Sequence, residues 1–162
     1  MKGPQGVNLD LPNFVLSLAA ALAGACSLQL AQDVFAHQAD ESVAHDPYAV
    51  FRCYGGPVPS GILRVPAVSV QCQATGKSPS AALRLANSLY EACYDASGNP
   101  RTHWVIDGKQ IDGSGALIAD TQNWEVRLIN LNQPPGQIGR DDRGRTEAVF
   151  NLDIFYMPKE IS

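Results

Sequence analysis

The sequence predicts an α+β fold, with a mostly antiparallel or mixed sheet and two helices packed on one face of it. Two observations lead to this prediction. Two segments carry apolar residues at helical spacing and several others carry them in the alternation typical of strands, and these segments follow one another without regular β-α-β order. The chain has 162 residues, the length of one ordinary domain, so we expect a single domain over residues 1–162.

The first predicted helix runs from about residue 11 to residue 25. Pro12 lies in its first turn, where a missing amide hydrogen costs little, and Gly24 marks its end. Apolar residues cover much of this helix, including Phe14 and Leu18. We therefore expect it to pack both on the sheet and against a neighbouring subunit, with Phe14 and Leu18 as candidate inter-subunit contacts.

The clearest strand precedes the second helix. Apolar and polar residues alternate from Val68 to Gln73, so one face of this strand is expected on a core. Ser78 then supplies a capping oxygen and Pro79 a preset first-turn dihedral for a helix over 79–94. The residues at helical core spacing are Ala82, Leu85, Ala86, Leu89 and Cys93.

Shorter patterns complete the predicted sheet. Strands are expected at about 27–35, 50–54, 102–106, 109–111, 116–119, 125–131 and 150–156. Asp107-Gly108 is a favoured hairpin dipeptide and predicts that 102–106 pairs with 109–111, while Pro158 is expected to end the last strand. Two long loops are predicted, at about 36–48 and 133–145.

Composition limits the functions that the chain can have. Its net charge is -4, so it lacks the basic excess that tight, sequence-reading contact with nucleic acid needs. Charged residues make up 17%, below the usual fraction of about 25%, which suggests that part of the surface faces protein. An apolar run over residues 14–25 ends at Cys26 like a lipoprotein export signal, but its start is not basic, and it is too short to span a bilayer. We expect the segment to be retained.

The residues that could carry chemistry do not form a recognisable motif. The four cysteines have no metal-ligand spacing, and the three histidines have no zinc spacing. Cys93 with His103 remains open as a nucleophile pair, although the place of Cys93 on a core stripe favours burial. We expect no enzymatic activity, no cofactor and no metal.

Residues 54–93 resemble the tail-completion, minor capsid-like and tail-terminator proteins of long-tailed bacteriophages. The resemblance rests on Gly55-Gly56-Pro57 followed by a loop, an alternating strand from Pro66 to Cys72, and a short linker into Ser80–Tyr90. The last strand, Val149–Phe155, is similar to the strand that closes such subunits. The resemblance covers about 40 residues well and the ends only in architecture.

The resemblance implies a structural virion protein with a small sheet flanked by helices. In that family six copies form a ring at the head-proximal end of the tail tube, stop its polymerisation and join the head connector. The implied partners are further copies of the chain, the tail tube protein, the head connector or stopper protein, and genomic double-stranded DNA that passes through the lumen without sequence-specific binding. No membrane is implied. The implied location is the tail-neck junction of the virion, after assembly in the host cytoplasm.

A charged segment gives further candidate inter-subunit or lumen contacts. Its members are Arg140, Asp141, Asp142, Arg143 and Arg145. A mobile solvated loop is an equal alternative, and divalent-cation binding by the two adjacent aspartates is a weaker one. For the whole chain, the alternatives are a connector or stopper subunit of the same neck, an exported lipid-anchored binding module, and a small hydrolase.

Overall fold

The computed structural model describes residues 11–54 and 67–159, with side chains from residue 13 onward, and these residues form the predicted α+β fold. In chain order the elements are α1 (Leu11–Ala25), β1 (Val34–Ala36), β2 (Tyr48–Cys53), β3 (Ala67–Gly76), α2 (Pro79–Glu91), β4 (Thr102–Ile106), β5 (Lys109–Ile111), β6 (Leu117–Ala119), β7 (Asn123–Arg140) and β8 (Thr146–Lys159). Gly55-Gly56-Pro57 and Pro66, on which the resemblance partly rests, lie outside the described residues.

Six strands form one sheet in the order β1-β2-β3-β8-β7-β4. All of its neighbours are antiparallel except β1 and β2, which are parallel. The strands β5 and β6 form a separate two-stranded ribbon. Within the described residues, β1 and β4 are therefore the two outer strands, at opposite edges of the sheet.

Both helices pack on the same face of the sheet. The ring of Phe14 on α1 stacks on Tyr156 of β8 with 3.9 Å between ring centroids, and Tyr90 on α2 meets Phe150 of the same strand at 5.4 Å. Alternate residues of a strand point to one face, so Phe150 and Tyr156 share a face. The core lies between this face and the two helices.

The helix starts agree with their local signals. Ser78 has extended backbone angles, and its hydroxyl oxygen accepts a hydrogen bond from the Ala81 amide at 3.4 Å, while Pro79 opens α2. The helix ends at Glu91, three residues before the predicted end, but Cys93 is still buried in the core.

The predicted loop at 133–145 is wrong for most of its length. The strand β7 continues to Arg140, and only a short turn over 141–145 separates it from β8. Pro134 and Pro135 are tolerated for two reasons. Among the described residues, β4 pairs with β7 only as far as Leu128, so this part of β7 lies on an edge. The register shift between Gln133 and Gly136 leaves both prolines out of the paired positions with β8. Register shifts along β7 and β8 accommodate the extra residues. The other predicted loop is confirmed as residues 37–47, between β1 and β2.

Three other local predictions also need correction. The strands β4 and β5 do not pair as a hairpin, because β5 leaves the main sheet and lies against α1, where the Lys109 amide donates to Ser17 Oγ at 2.8 Å. Pro158 does not end β8, which reaches Lys159 beside β7. Among the described residues, the pairing of β8 with β3 extends to Phe155. The segment 27–35 is mostly not a strand: it has turns at Ser27 and over 31–33, with Ala31 at a φ of 69°, and only its last two residues belong to β1.

Replacement of the buried Thr146 by valine is expected to stabilise the protein. Its side chain is 1% exposed, and Oγ1 has no hydrogen-bond partner among the described residues. A buried hydroxyl without a partner costs free energy, so Thr146→Val is expected to raise the free energy of unfolding by about 1 kcal/mol. Urea unfolding followed by tryptophan fluorescence measures the change.

Thr75→Val is the matched control for this variant. Thr75 is also buried, at 4% exposed, but its hydroxyl is hydrogen-bonded to Tyr48. Removal of that bond is expected to lower the free energy of unfolding by about 1 kcal/mol. Equal losses in the two variants would contradict the idea that the Thr146 hydroxyl is unsatisfied.

Candidate functional site

Most of the predicted charged segment forms a hydrogen-bonded turn between β7 and β8, which we call the hairpin turn (residues 141–145). The Asp141 carboxylate accepts hydrogen bonds from the amides of Arg143 and Arg145 at 3.0 and 2.8 Å, and the Asp141 amide donates to the Arg145 carbonyl at 2.9 Å. Gly144 has a φ of 75°, which favours glycine. The turn is therefore held by its own backbone and one carboxylate.

The hairpin turn is joined to the segment between β1 and β2, which we call the strap (residues 37–47). The Glu41 carboxylate of the strap forms salt bridges with Arg145 Nη2 at 3.0 Å and with Arg143 Nη1 at 2.9 Å. Arg145 also pairs with Asp141 at 2.7 Å, and the Tyr48 hydroxyl donates to Glu41 at 2.9 Å. Two carboxylates and two guanidinium groups thus form one continuous network.

The network shifts the ionisation of its members. The Arg145 hydrogen bond, followed by that of Tyr48, lowers the pKa of Glu41. Desolvation acts to raise the pKa of Asp141, but the hydrogen bonds from Arg145 and Arg143 together outweigh it and lower the value. Glu41 in turn raises the pKa of Arg145. All three groups are consequently charged at neutral pH.

Further contacts hold the strap near both of its ends. His45 Nδ1 lies 2.7 Å from the Asp33 carboxylate, and Asp46 accepts a hydrogen bond from the Lys77 amide at 3.0 Å. At the β1 end, Arg52 Nε donates to the His37 carbonyl at 3.1 Å. The strap is therefore fixed to β2, to the residues before α2 and to the hairpin turn.

A polar groove of about 880 Å³ separates the strap from the outer face of the sheet, the face opposite the helices. Arg52, Gln73 and Glu147 line it and are joined to one another by hydrogen bonds across β2, β3 and β8. The same face continues with the pair Ser69 and Asp153, at 2.5 Å. This surface offers polar groups to a partner rather than a deep apolar pocket.

The structure divides the predicted contact residues into three groups. Arg143 and Arg145 join the network with Asp141, whereas Arg140 and Asp142 are exposed beside it. Phe14 and Leu18 are 0% exposed in the chain's own core, so neither side chain offers a surface to a second subunit. They were candidates because α1 is apolar over much of its surface. That apolar surface instead packs on the sheet and the β5-β6 ribbon of the same chain.

Glu41 and Tyr48 complete the site and were not predicted from sequence. Glu41 meets Arg145 across 104 residues of chain, so no local pattern connects them. The only available signal was an acidic pair, Asp40-Glu41, in one predicted loop and an arginine-rich stretch in the other.

The cysteine and histidine candidates are placed apart from this network. Burial raises the pKa of Cys93 to about 12, so it is a neutral thiol, and its Sγ donates to the Leu89 carbonyl at 3.6 Å. Cys26 Sγ donates to the Ser88 carbonyl at 3.3 Å. His103 Nδ1 lies 3.9 Å from the Glu125 carboxylate. In residues 11–54 and 67–159, no three His, Cys, Asp or Glu side chains are grouped so as to hold a metal ion.

Comparison of the chain with protein-family models gives no match, and comparison with curated proteins gives none either. Across the residues that the structure describes, no helix has both the length and the apolar character needed to span a membrane.

Because the network contains the charged Glu41 carboxylate, we expect its contribution to stability to be lost in acid. A carboxylate with a lowered pKa adds stability above its ordinary pKa, 4.5 for Glu41, and loses it as the pH falls through the lower folded value. Glu41→Gln is thus expected to lower the free energy of unfolding at pH 7, and the difference from wild type should shrink below pH 4.5. Urea unfolding across this pH range measures it.

Glu91→Gln is the control, because Glu91 is an exposed carboxylate at the end of α2, outside the network. At pH 7 Glu91→Gln is expected to lower the free energy of unfolding by less than Glu41→Gln does, because it removes no contact of the network. A Glu41→Gln difference that stays constant on acidification would show that the network does not depend on the Glu41 charge.

Proposed function

We propose that this chain is a tail-terminator-type structural subunit of a long-tailed bacteriophage, which assembles with its own copies into a ring. The observation that carries the assembly step is exposed apolar surface near both outer edges of the sheet. Val105 on β4 and Leu128 on β7 are 48% and 44% exposed near one edge. Near β1, Ile111 and Leu117 of the ribbon are 53% and 44% exposed.

Two different edges that join head to tail make a heterologous contact, which closes into a ring when the rotation between copies allows it. Isolated exposed apolar residues are ordinary, but here they lie near strands that are outermost among the described residues, and Ile111 and Leu117 line a groove of about 480 Å³ between α1, β1 and the ribbon. The described surface therefore suits contacts with protein.

The part of the proposal that places the ring at the end of the tail tube rests on the sequence resemblance. The strand and helix in the best-resembling stretch form β3 and α2, a strand followed by a helix packed on its sheet. The net charge of -4 is compatible with a ring that lets DNA pass without binding it tightly. In the proposed ring the subunit ends the tail tube and meets the head connector.

Light scattering across a concentration series at two salt strengths tests the proposal. A discrete ring-sized oligomer is expected, or a monomer that becomes one when phage tail tubes are added. Electron microscopy of the same samples should show closed rings. A protein that stays monomeric throughout and does not bind tubes would contradict the proposed function, and binding to head connectors but not to tubes would favour the stopper level.

A further inference from the structure

The groove of about 480 Å³ between α1, β1 and the β5-β6 ribbon, which we call the ribbon groove, leaves apolar surface uncovered among the described residues. Of the residues that line it, Leu16 and Phe35 are 8% and 5% exposed and belong to the packed part of the chain. Ile111 and Leu117 line it too and are 53% and 44% exposed. The groove therefore suits a segment that brings apolar side chains.

The edge of β1 beside this groove is a poor place for an added strand. The His37 amide donates to β2 at 2.8 Å, so the alternate residues Val34 and Ala36 turn their carbonyls away from β2. Both carbonyls already accept hydrogen bonds within the chain, from the amides of Ala31 at 2.7 Å and Gln38 at 2.8 Å. An occupant of the groove is therefore held through its side chains rather than by strand pairing.

The segment before α1 (residues 1–10) has the side chains and the position for this role. It contains Val7 and Leu9, which are separated by one residue and so lie on the same side of an extended chain. The segment joins α1 at Leu11, and Asn13, two residues further on, lines the ribbon groove. The chain thus enters α1 beside the groove.

The apolar residues of this segment are close enough to reach the groove. Leu9 precedes Leu11 by two residues and Val7 by four, so an extended chain carries them at most about 7 and about 14 Å from the first residue of α1. A segment on such a short tether has an effective concentration of about millimolar, and its docking avoids the loss of freedom that a separate molecule incurs. In a free subunit the chain's own segment is therefore favoured over a second copy.

We propose that residues 1–10 dock in the ribbon groove of their own chain, with Val7 and Leu9 against Ile111 and Leu117. In the free subunit the docked segment covers the apolar surface that the proposed ring uses near β1. In this respect the inference rests on the proposed function, because a neighbouring copy must displace the segment to reach that surface. Assembly and docking therefore compete for one groove.

Photo-crosslinking tests the docking in the monomeric protein. Leu117 is replaced by p-benzoylphenylalanine in one sample, and in a second sample Gln38, an exposed residue that also lines the groove, is replaced. Illumination is expected to give a crosslink within one chain, which peptide mass mapping places in residues 1–10. The same label at Ile138, a residue 60% exposed on β7 and outside the groove, is the control and should not react with these residues.

Substitutions in the segment show whether its apolar side chains make the contact. Val7→Asp and Leu9→Asp are each expected to reduce the crosslink at least about fivefold, because a charge is costly to bury on apolar surface. Asn8→Asp is the matched control, since it adds the same charge on the opposite side of an extended segment and should keep the crosslink. Equal crosslinking of all three variants would overturn the docking.

Deletion of residues 2–9 tests the competition with assembly. The shortened chain keeps Asp10 and all of α1. It is expected to self-associate at least about tenfold more tightly than wild type in light scattering, because no segment has to leave the groove. Asn8→Asp should associate like wild type. Equal association of the deletion variant and wild type would overturn the competition.

Other outcomes separate the docking from the ring. A crosslink between two chains that maps to residues 1–10 would overturn docking within one chain and assign the groove to the segment of a second copy. If neither label reacts with residues 1–10, the docking is overturned outright. A protein that stays monomeric with and without tubes, yet gives the crosslink within one chain, would overturn the proposed function and leave the docking standing.

Discussion

Replacement of Phe14 by alanine is expected to lower the free energy of unfolding by about 3–5 kcal/mol. The ring is 0% exposed, stacks on Tyr156 at 3.9 Å and meets the edge of Trp124 at 5.5 Å. Trp124 also contacts Tyr156 at 5.6 Å, so Phe14 completes a three-ring cluster that joins α1 to β7 and β8. Its removal takes away apolar burial and leaves a cavity that rigid neighbours cannot fill.

Urea unfolding of Phe14→Ala at low protein concentration measures this loss. Ile138→Ala is the control, since a side chain 60% exposed on β7 should change stability by no more than about 0.5 kcal/mol. If Phe14 instead served a contact between subunits, its variant would dissociate while the monomer kept its stability. That result would contradict the core position described above.

The elements that sequence predicted well are those whose signals are local. Ser78 and Pro79 stand next to the helix that they start, and the apolar spacing behind them lies within four turns of α2. The bounds of α1 and of β4 likewise agree with the local pattern. A prediction from one segment succeeds where that segment alone decides its conformation.

The hairpin of β7 and β8 shows where local signals fail. Pro134 and Pro135, with Gly136, are breakers in isolation, so a loop was predicted. Their place on an edge, opposite a long continuous β8, permits a strand that neither proline could form in the middle of a sheet. Whether a strand lies at an edge depends on the order of the strands in the sheet, and the local sequence does not show that order.

The candidate site was predicted only in part, again because it depends on the order of the strands. The charged residues near 140–145 stood out in the sequence as candidate inter-subunit or lumen contacts, which stays a prediction. In the structure Arg143 and Arg145 pair with carboxylates of the same chain. Their main partner, Glu41, comes from a loop whose position depends on the strand order. Phe14 was placed on a subunit surface because hydrophobicity alone does not tell whether an apolar side chain faces its own core or a neighbour.

Gly108→Ala is expected to be the second most damaging of these substitutions. Asp107-Gly108 was read as a hairpin turn, but the structure uses the glycine for a close approach of two chain segments. A methyl group on Gly108 would overlap the carbonyl oxygen of Gln122 and lie 2.8 Å from its carbonyl carbon. The Gly108 amide donates to Asn123 Oδ1 at 3.0 Å and its carbonyl accepts the Asp120 amide at 2.9 Å, so the two segments are tied together at this point.

Because the obstacle is backbone, it cannot rotate away, and the base of the β5-β6 ribbon must open or shift. We expect a loss of about 1–3 kcal/mol, the usual cost of overpacking. Gly113→Ala is the matched control, since no atom lies within 4 Å of a methyl group there. Urea unfolding gives the stability loss, and hydrogen exchange of the Asp120 amide reports the opening. Equal behaviour of the two alanine variants would show that the ribbon base adapts without cost and that the close approach at Gly108 does not fix its position.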